Sequence, residues 1–269
     1  MSKTLFYHVD AFTRERFKGN PATVCLMPCN LQNSLYLSIA REINLSETAF
    51  LEKTDDAYKL RWFTPIVEVP LCGHATLAAA HVLFDYLGYR GDKIVFNTLS
   101  GQLTAVKVSD GIQMDFPQNK SYPVDPPHEA LKALGIKKWR RVYYNDTNKK
   151  LLIHIEDAET LKALTPDFEA FLRSPNPYGW EGAVVTAEAS GEYDFTSRYF
   201  APHRGIAEDP VTGSSHTVLG PYWAELLGKQ KMRAYQASAR GGELTVELSG
   251  DRVLITGNCV TVLVGILNY

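Results

Sequence analysis

A carboxylate, an imidazole and a thiol stand close to glycine-containing turns in this chain, and groups of that kind move protons. Glu47 follows Ser46 in a segment otherwise apolar on both sides, with Leu45 before it and Ala49-Phe50 after. A carboxylate there is either an ordinary surface glutamate at a strand start or a partly desolvated one, whose pKa is then raised toward that of a useful general base. Cys72-Gly73-His74 opens a long apolar run; an imidazole there can cap a helix, hydrogen-bond a substrate or shuttle a proton. Asp209 lies just before Thr212-Gly213-Ser214, where the ordinary role of an aspartate is in the turn itself. Ser214-Ser215-His216 does not read as a serine nucleophile, because the three share one element and lack the G-x-S-x-G elbow. The four cysteines, Cys25, Cys29, Cys72 and Cys259, have no paired zinc spacing. Buried or free thiols are expected, and no metal.

The two turns belong to a repeat. Phe63 to Gly88 and Phe200 to Gly228 each read as a strand, a turn with Pro and Gly, then an apolar helix ending in Leu-Gly. Pro70 and Pro210, Gly73 and Gly213, Gly88 and Gly228 are each 140 positions apart, as are Glu68 and Glu208. A period of this size argues for a duplicated domain. Each copy places a helix N-terminus just after its turn, at Cys72-Gly73-His74 and at Thr212-Gly213-Ser214. Free backbone N–H groups and the positive end of the helix dipole make each a potential anion site as well as an ordinary cap. Pseudo-twofold packing of the two would create a cleft suited to a small carboxylate.

The remaining elements follow from periodicity. Leu5 to Ala11 and Ala22 to Met27 alternate as strands of a hairpin with a long connection through Gly19-Asn20-Pro21. Asn30 is placed to cap a helix from Leu31 to Ile43 that Asn44 stops. Tyr58 to Phe63 is a strand leading into the first turn. The helix from His74 to Leu87 is apolar nearly all round, so it must be buried on most sides, with Gly88 as its left-handed C-cap. Strands at 94–97, 103–108 and 112–116 complete a first domain, 1–117. Residues 118–127, rich in proline, read as a linker. The second domain, 128–259, repeats the plan with strands at 141–144, 151–155, 182–187 and 193–200, and helices at 158–164 and 215–227. Gly220-Pro221 is expected to loosen or kink the last of these. The final strand, 260–269, is expected to cross back to the first domain.

Composition excludes several classes. With 269 residues, 45% of them hydrophobic and 22% charged, the chain can bury real cores. A formal net charge of −2 supplies no basic footprint for nucleic acid. No 18-residue apolar run or secretory N-terminus is seen, so a cytoplasmic protein without membrane partners is expected.

Taken together, the motifs resemble one family. Val9-Asp10-Ala11-Phe12, Gly19-Asn20-Pro21-Ala22, NLSETAF from Asn44, FTP from Phe63 and LCGHATLAAAHVL from Leu71 are similar to those of the PhzF-like phenazine-biosynthesis isomerase family. EDPVTGSSH from Glu208, GPYW from Gly220 and QASARGGEL from Gln236 extend the resemblance over essentially the whole chain. The resemblance implies an α+β, diaminopimelate epimerase-like fold: two pseudo-symmetric domains, each a β-barrel-like sheet around a central helix, with the site in the cleft between them. It implies a homodimeric, cofactor-independent isomerase. Glu47 is then the acid/base residue that moves a proton between carbons, with His74 and Asp209 assisting. Ser46, Gly73, Gly213 and Ser214 match positions that contact a small carboxylated substrate, and Cys72 and Thr212 flank it.

The epimerase relatives of that family use a cysteine at each of the two helix N-termini. Here Cys72 has Thr212 as its counterpart, and a hydroxyl cannot replace a thiolate as a base. A one-base proton shift through Glu47 is therefore expected over two-base inversion. A racemase or epimerase retaining Cys72 as one base, and a non-catalytic small-molecule binder on this fold, are the alternatives.

Overall fold

The computed structural model describes residues 2–28, 31–54 and 57–269; Cys29 and the expected cap Asn30 lie outside them. The chain forms two compact units, Met1–Asp115 with Ile255–Tyr269, and Phe116–Leu254. In chain order the first unit contains β1 (Lys3–Ala11), β2 (Asn20–Met27), α1 (Asn33–Ile43), β3 (Thr48–Lys53) and β4 (Tyr58–Phe63). It continues with β5 (Glu68–Val69), α2 (Gly73–Asp85), β6 (Lys93–Thr98), β7 (Gly101–Val108) and β8 (Gly111–Pro117). The second unit contains β9 (Tyr122–Pro123), α3 (His128–Ala133), β10 (Arg141–Asn145), β11 (Lys150–His154), α4 (Ala158–Lys162) and α5 (Phe168–Arg173). It is completed by β12 (Gly182–Glu188), β13 (Phe195–Ala201), β14 (Ile206–Asp209), α6 (Gly213–Leu227), β15 (Lys231–Gln236) and β16 (Gly242–Ser249). β17 (Arg252–Gly257) leads out of it, and β18 (Cys259–Asn268) belongs to the first unit, antiparallel to β1 from Lys3↔Asn268 to Ala11↔Cys259.

In the first unit, β1–β2 is antiparallel, β2–β3 parallel, β3–β4 and β4–β5 antiparallel, and β4–β6 parallel before β6–β7 turns back antiparallel. The second unit runs through the same succession with β10 to β16. Strand alternation sorts each sheet into two faces. In the first, Cys25, Phe50 and Phe63 pack against Tyr36, Ile39 and Ala40 of α1. The opposite face is covered by α2, whose residues His74 to Phe84 are all buried. A helix without a polar stripe has to be enclosed in this way, because nothing on it is left for water. In the second unit Leu151, Ile153, Ala183, Val185 and Phe200 pack outward beneath Leu131, Leu161 and Phe171 of the short helices. The other face meets α6, where Trp223 donates from Nε1 to Thr186 Oγ1 and lies 4.8 Å from the His154 ring.

Local structure refines the expectations. Within the proline-rich segment, Tyr122–Pro123 pairs with Tyr143 and Tyr144 of β10. Proline is tolerated there because an edge strand can do without its amide donor. α6 runs continuously through Gly220-Pro221. Gly220 is there for contact, since a Cβ would lie 2.8 Å from Val246 Cγ1. α2 ends at Asp85 with Tyr86 as its cap. Gly88 follows it at φ 65°, and Tyr89 N reaches back to Leu83 O.

Candidate active site

Parity along β3 explains where Glu47 goes. Phe50 faces α1, so Ala49 and Leu51 face α2, and Glu47, on the residue just before the strand, shares their side. The helix it approaches begins at Gly73, with Cys72 as an extended N-cap residue at φ −144° and ψ 112°. His74 Nε2 lies 3.5 Å from Glu47 Oε2, and the two side chains are 7% and 16% exposed. The other ring nitrogen, Nδ1, is 3.5 Å from Cys72 Sγ. Thr76 bonds back to the Cys72 carbonyl through both N and Oγ1, which fixes the turn beneath the thiol. Three of the residues singled out by sequence are thus one cluster, and Ser46 and Gly73 flank it, each half-buried.

By donor type the cluster could hold a cation, since one ligand atom from each of Glu47, Cys72 and His74 falls within 4.8 Å of the others. The close approaches favour another use. Glu47 meets one ring nitrogen and Cys72 the opposite one, whereas a metal takes a single nitrogen of an imidazole. A carboxylate, an imidazole and a thiol in line are arranged to pass or share protons.

The second turn is built from different groups. Thr212 Oγ1 donates to Asp209 Oδ2, and both residues are 8% exposed. Gln236, at the end of β15, clamps the turn: its Oε1 accepts from Thr212 N at 2.9 Å, while its Nε2 donates to Asp209 O at 2.7 Å. His216 Nδ1 donates to Thr212 O at 2.8 Å. Burial holds this ring neutral, with its pKa down to about 4. Gly213 and Ser214 form the first residues of α6, and Asn148 Nδ2 donates to Ser214 O. Gln236 escaped sequence reasoning as a site residue. It stands 24 residues beyond Thr212, and only the parallel β13–β15 pairing, Ser197↔Gln236, returns it to the turn.

Both turns rest on the same support. Arg61 makes a bidentate pair with Glu68, both bonds at 2.7 Å, with its guanidinium 5.0 Å from the Phe63 ring centroid. Arg198 does the same with Glu208, at 2.7 and 2.9 Å, with Phe200 at 4.8 Å. Ser100 Oγ donates to Pro70 O, and Ser238 Oγ to Pro210 O. A planar, bidentate guanidinium is suited to holding a strand end in one orientation.

One turn thus carries Glu, His and Cys, and its counterpart in the second unit carries Asp, Thr and Gln. The pattern of the phenazine biosynthesis-like protein family, PhzC-PhzF, matches residues 9–265. The chain belongs to this family. An uncharacterized isomerase of Halalkalibacterium halodurans is 46% identical, over 98% of this chain and 98% of that protein. The crystal structure of a PhzF-family protein from Enterococcus faecalis superposes with a TM-score of 0.92 at 41% identity, covering 100% of both chains. A predicted epimerase from Pseudomonas aeruginosa shares the fold at a TM-score of 0.73 and 20% identity, covering 99% of both chains. This PhzC-PhzF member is therefore a sheet-rich α+β protein of PhzF and epimerase-like fold. Among its described residues no helix is long and apolar enough to cross a membrane.

Proposed function

We propose that this protein is a cofactor-independent isomerase that moves a proton between carbons of a small carboxylated substrate, with Glu47 as the acid/base. The observation that carries the reading is the 3.5 Å approach of the Glu47 carboxylate to His74 Nε2, with both side chains largely buried. Glu47 takes the proton from an acidic C–H, leaving a carbanion that the substrate's own conjugated system delocalises. The glutamic acid so formed returns the proton to a second carbon on the same face. His74 orients the carboxylate between the two transfers, and Cys72 holds the opposite side of the ring. The amides of the first turn of α2, at the positive end of the helix, suit a carboxylate of the substrate. Asp209, Thr212, Gly213 and Ser214 offer polar groups at the equivalent turn of the second unit. The names of the relatives, isomerases and PhzF proteins, support this class of reaction.

The test is turnover of a metabolite pool in deuterated water by the wild type and by Glu47→Gln. Carbon-bound deuterium should appear in a product only with Glu47 present, with a loss on the order of 10²–10⁴-fold in the variant. Exchange that persists unchanged in Glu47→Gln sinks the assignment.

A second reading, racemisation or epimerisation through Cys72, has one observation in its favour, the 3.5 Å approach of Sγ to His74 Nδ1. A helix N-terminus and an imidazole both lower a thiol pKa. Against it, the position matching Cys72 in the second turn is Thr212, whose hydroxyl is already donated to Asp209. Deuterium incorporation with inversion at a stereocentre, lost in Cys72→Ala, would favour that reading over ours.

A further inference from the structure

Strand register reveals what the second unit puts in the place of Glu47. In the first unit Thr48 pairs with Phe63 and Ala49 with Trp62, and Trp62 in turn pairs with Val69. In the second, Ala183 pairs with Phe200 and Val184 with Tyr199, and Tyr199 pairs with Asp209. The residue before Thr48 is Glu47; the residue before Ala183 is Gly182. A Cβ on Gly182 would lie 2.7 Å from the Tyr199 hydroxyl and 2.7 Å from Phe200 O, so the tyrosine ring occupies the room a side chain would need. Beneath that ring lies Lys150, paired with Gly182 across β11–β12, its Nζ 3.6 Å from the ring centroid.

Lys150 is 2% exposed. A buried ammonium is costly even against an aromatic face, and a methionine of similar length would fill the same space without that cost. The sheet face that carries Lys150 also carries Tyr199 and its cross-strand neighbour Asp209, and it is the face that meets α6. We propose that Lys150 is a positioning residue for Asp209: its amine, held under Tyr199, fixes the charge and orientation of the carboxylate that the second unit presents beside Thr212. The proposal rests on the reading in which Asp209 serves the proton shift.

The groups facing the amine set its behaviour. Burial lowers the Lys150 pKa to about 7, Arg204 lowers it as well, and Asp209 and Glu181 act to raise it. Arg204 is itself paired with Glu181. From α6 the Lys150 charge bears on His216 and helps keep the ring neutral. Tyr199 stays a phenol, its pKa raised to about 12 by burial. Burial thus brings the Lys150 amine down toward neutrality, and Asp209 is one of the carboxylates whose charge bears on it.

The experiment is a pH titration of the full-length protein labelled with ¹³Cγ-aspartate, in the wild type, Lys150→Met and Lys150→Arg, with the Asp209 resonance assigned by its loss in Asp209→Asn. In the wild type the Asp209 signal should show a step centred near pH 7, as the amine loses its proton. Lys150→Met should abolish that step and raise the carboxyl's own midpoint by about one unit or more. Lys150→Arg, charged throughout, should keep the wild-type midpoint and lack the neutral step. A wild-type signal with no neutral step overturns the proposal, as does a midpoint unmoved in Lys150→Met; the wild-type arm decides even if the methionine variant folds poorly. The pH profile of product formation should lose its neutral limb in Lys150→Met, which loss of structure alone would not produce. Failure of the Glu47→Gln isotope test would remove the proton-shift reading and leave the titration standing.

Discussion

Lys150→Met also changes stability, in a way that depends on pH and not on turnover. In the unfolded chain this amine titrates at its ordinary 10.5, and in the folded protein at about 7. Between those values the unfolded chain holds a proton that the folded protein has released, so rising pH favours folding. Below pH 7 both states are protonated, and the folded one bears the full burial penalty, roughly 5 kcal/mol at 1.4 kcal/mol per unit. Methionine fills a similar volume without charge. Lys150→Met should therefore be the more stable protein at pH 6, and its advantage should shrink by roughly 2–3 kcal/mol between pH 6 and pH 9. The assay is urea unfolding of both proteins at pH 6, 7.5 and 9, followed by tryptophan fluorescence, with m-values compared to confirm that the same surface is exposed. Trp180 and Trp223, both buried in this unit, report its unfolding. An advantage constant across pH, or growing with it, refutes the account of Lys150 as a depressed, buried amine.

Other outcomes follow from the same geometry. Glu208→Gln removes the carboxylate partner of a largely buried Arg198 and should cost roughly 3 kcal/mol, read as a lowered thermal midpoint; an unchanged midpoint would mean that the pair does not hold the second turn. Gly182→Ala forces a methyl group against Tyr199 and the Phe200 carbonyl and should destabilise by roughly 1–3 kcal/mol in denaturant unfolding. Cys72→Ala should retain most of the proton-shift activity measured by deuterium incorporation, whereas loss comparable to that of Glu47→Gln would move the chemistry to the thiol.

Much of this was legible from residue order because the deciding signals were local. The apolar helix after each Gly turn, the Asn44 stop and the alternating strands each announce themselves within ten residues or so. Glu47, Cys72 and His74 could be singled out for the same reason, as ionisable groups in apolar or turn contexts. What escaped depended on distant partners. α3 and α5 have six residues each, too short for a 3.6-residue period to stand out. Lys150 at the start of a strand looks like a solvated charge, and only Gly182 in the parallel neighbour makes room for Tyr199 to cover it. Gln236 looks like any polar strand end until β13 and β15 pair. The Asp157 and Asp167 side chains that cap α4 and α5 make bonds only three residues long, yet the apolar surface those helices cover lies on strands that alternation alone does not assign to a side.

The pairing of β1 with β18 has a consequence for how the molecule is made. Paired residues on these strands are about 250 positions or more apart, so β1 emerges from the ribosome that many residues before its partner. All of the second unit, Phe116–Leu254, is synthesised in the interval and can fold as a block. Until then β1 has β2 on one side and a row of unmet amides and carbonyls on the other. Loop closure over that distance is slow, which leaves this seam open to mispairing with neighbouring chains until the last strand arrives.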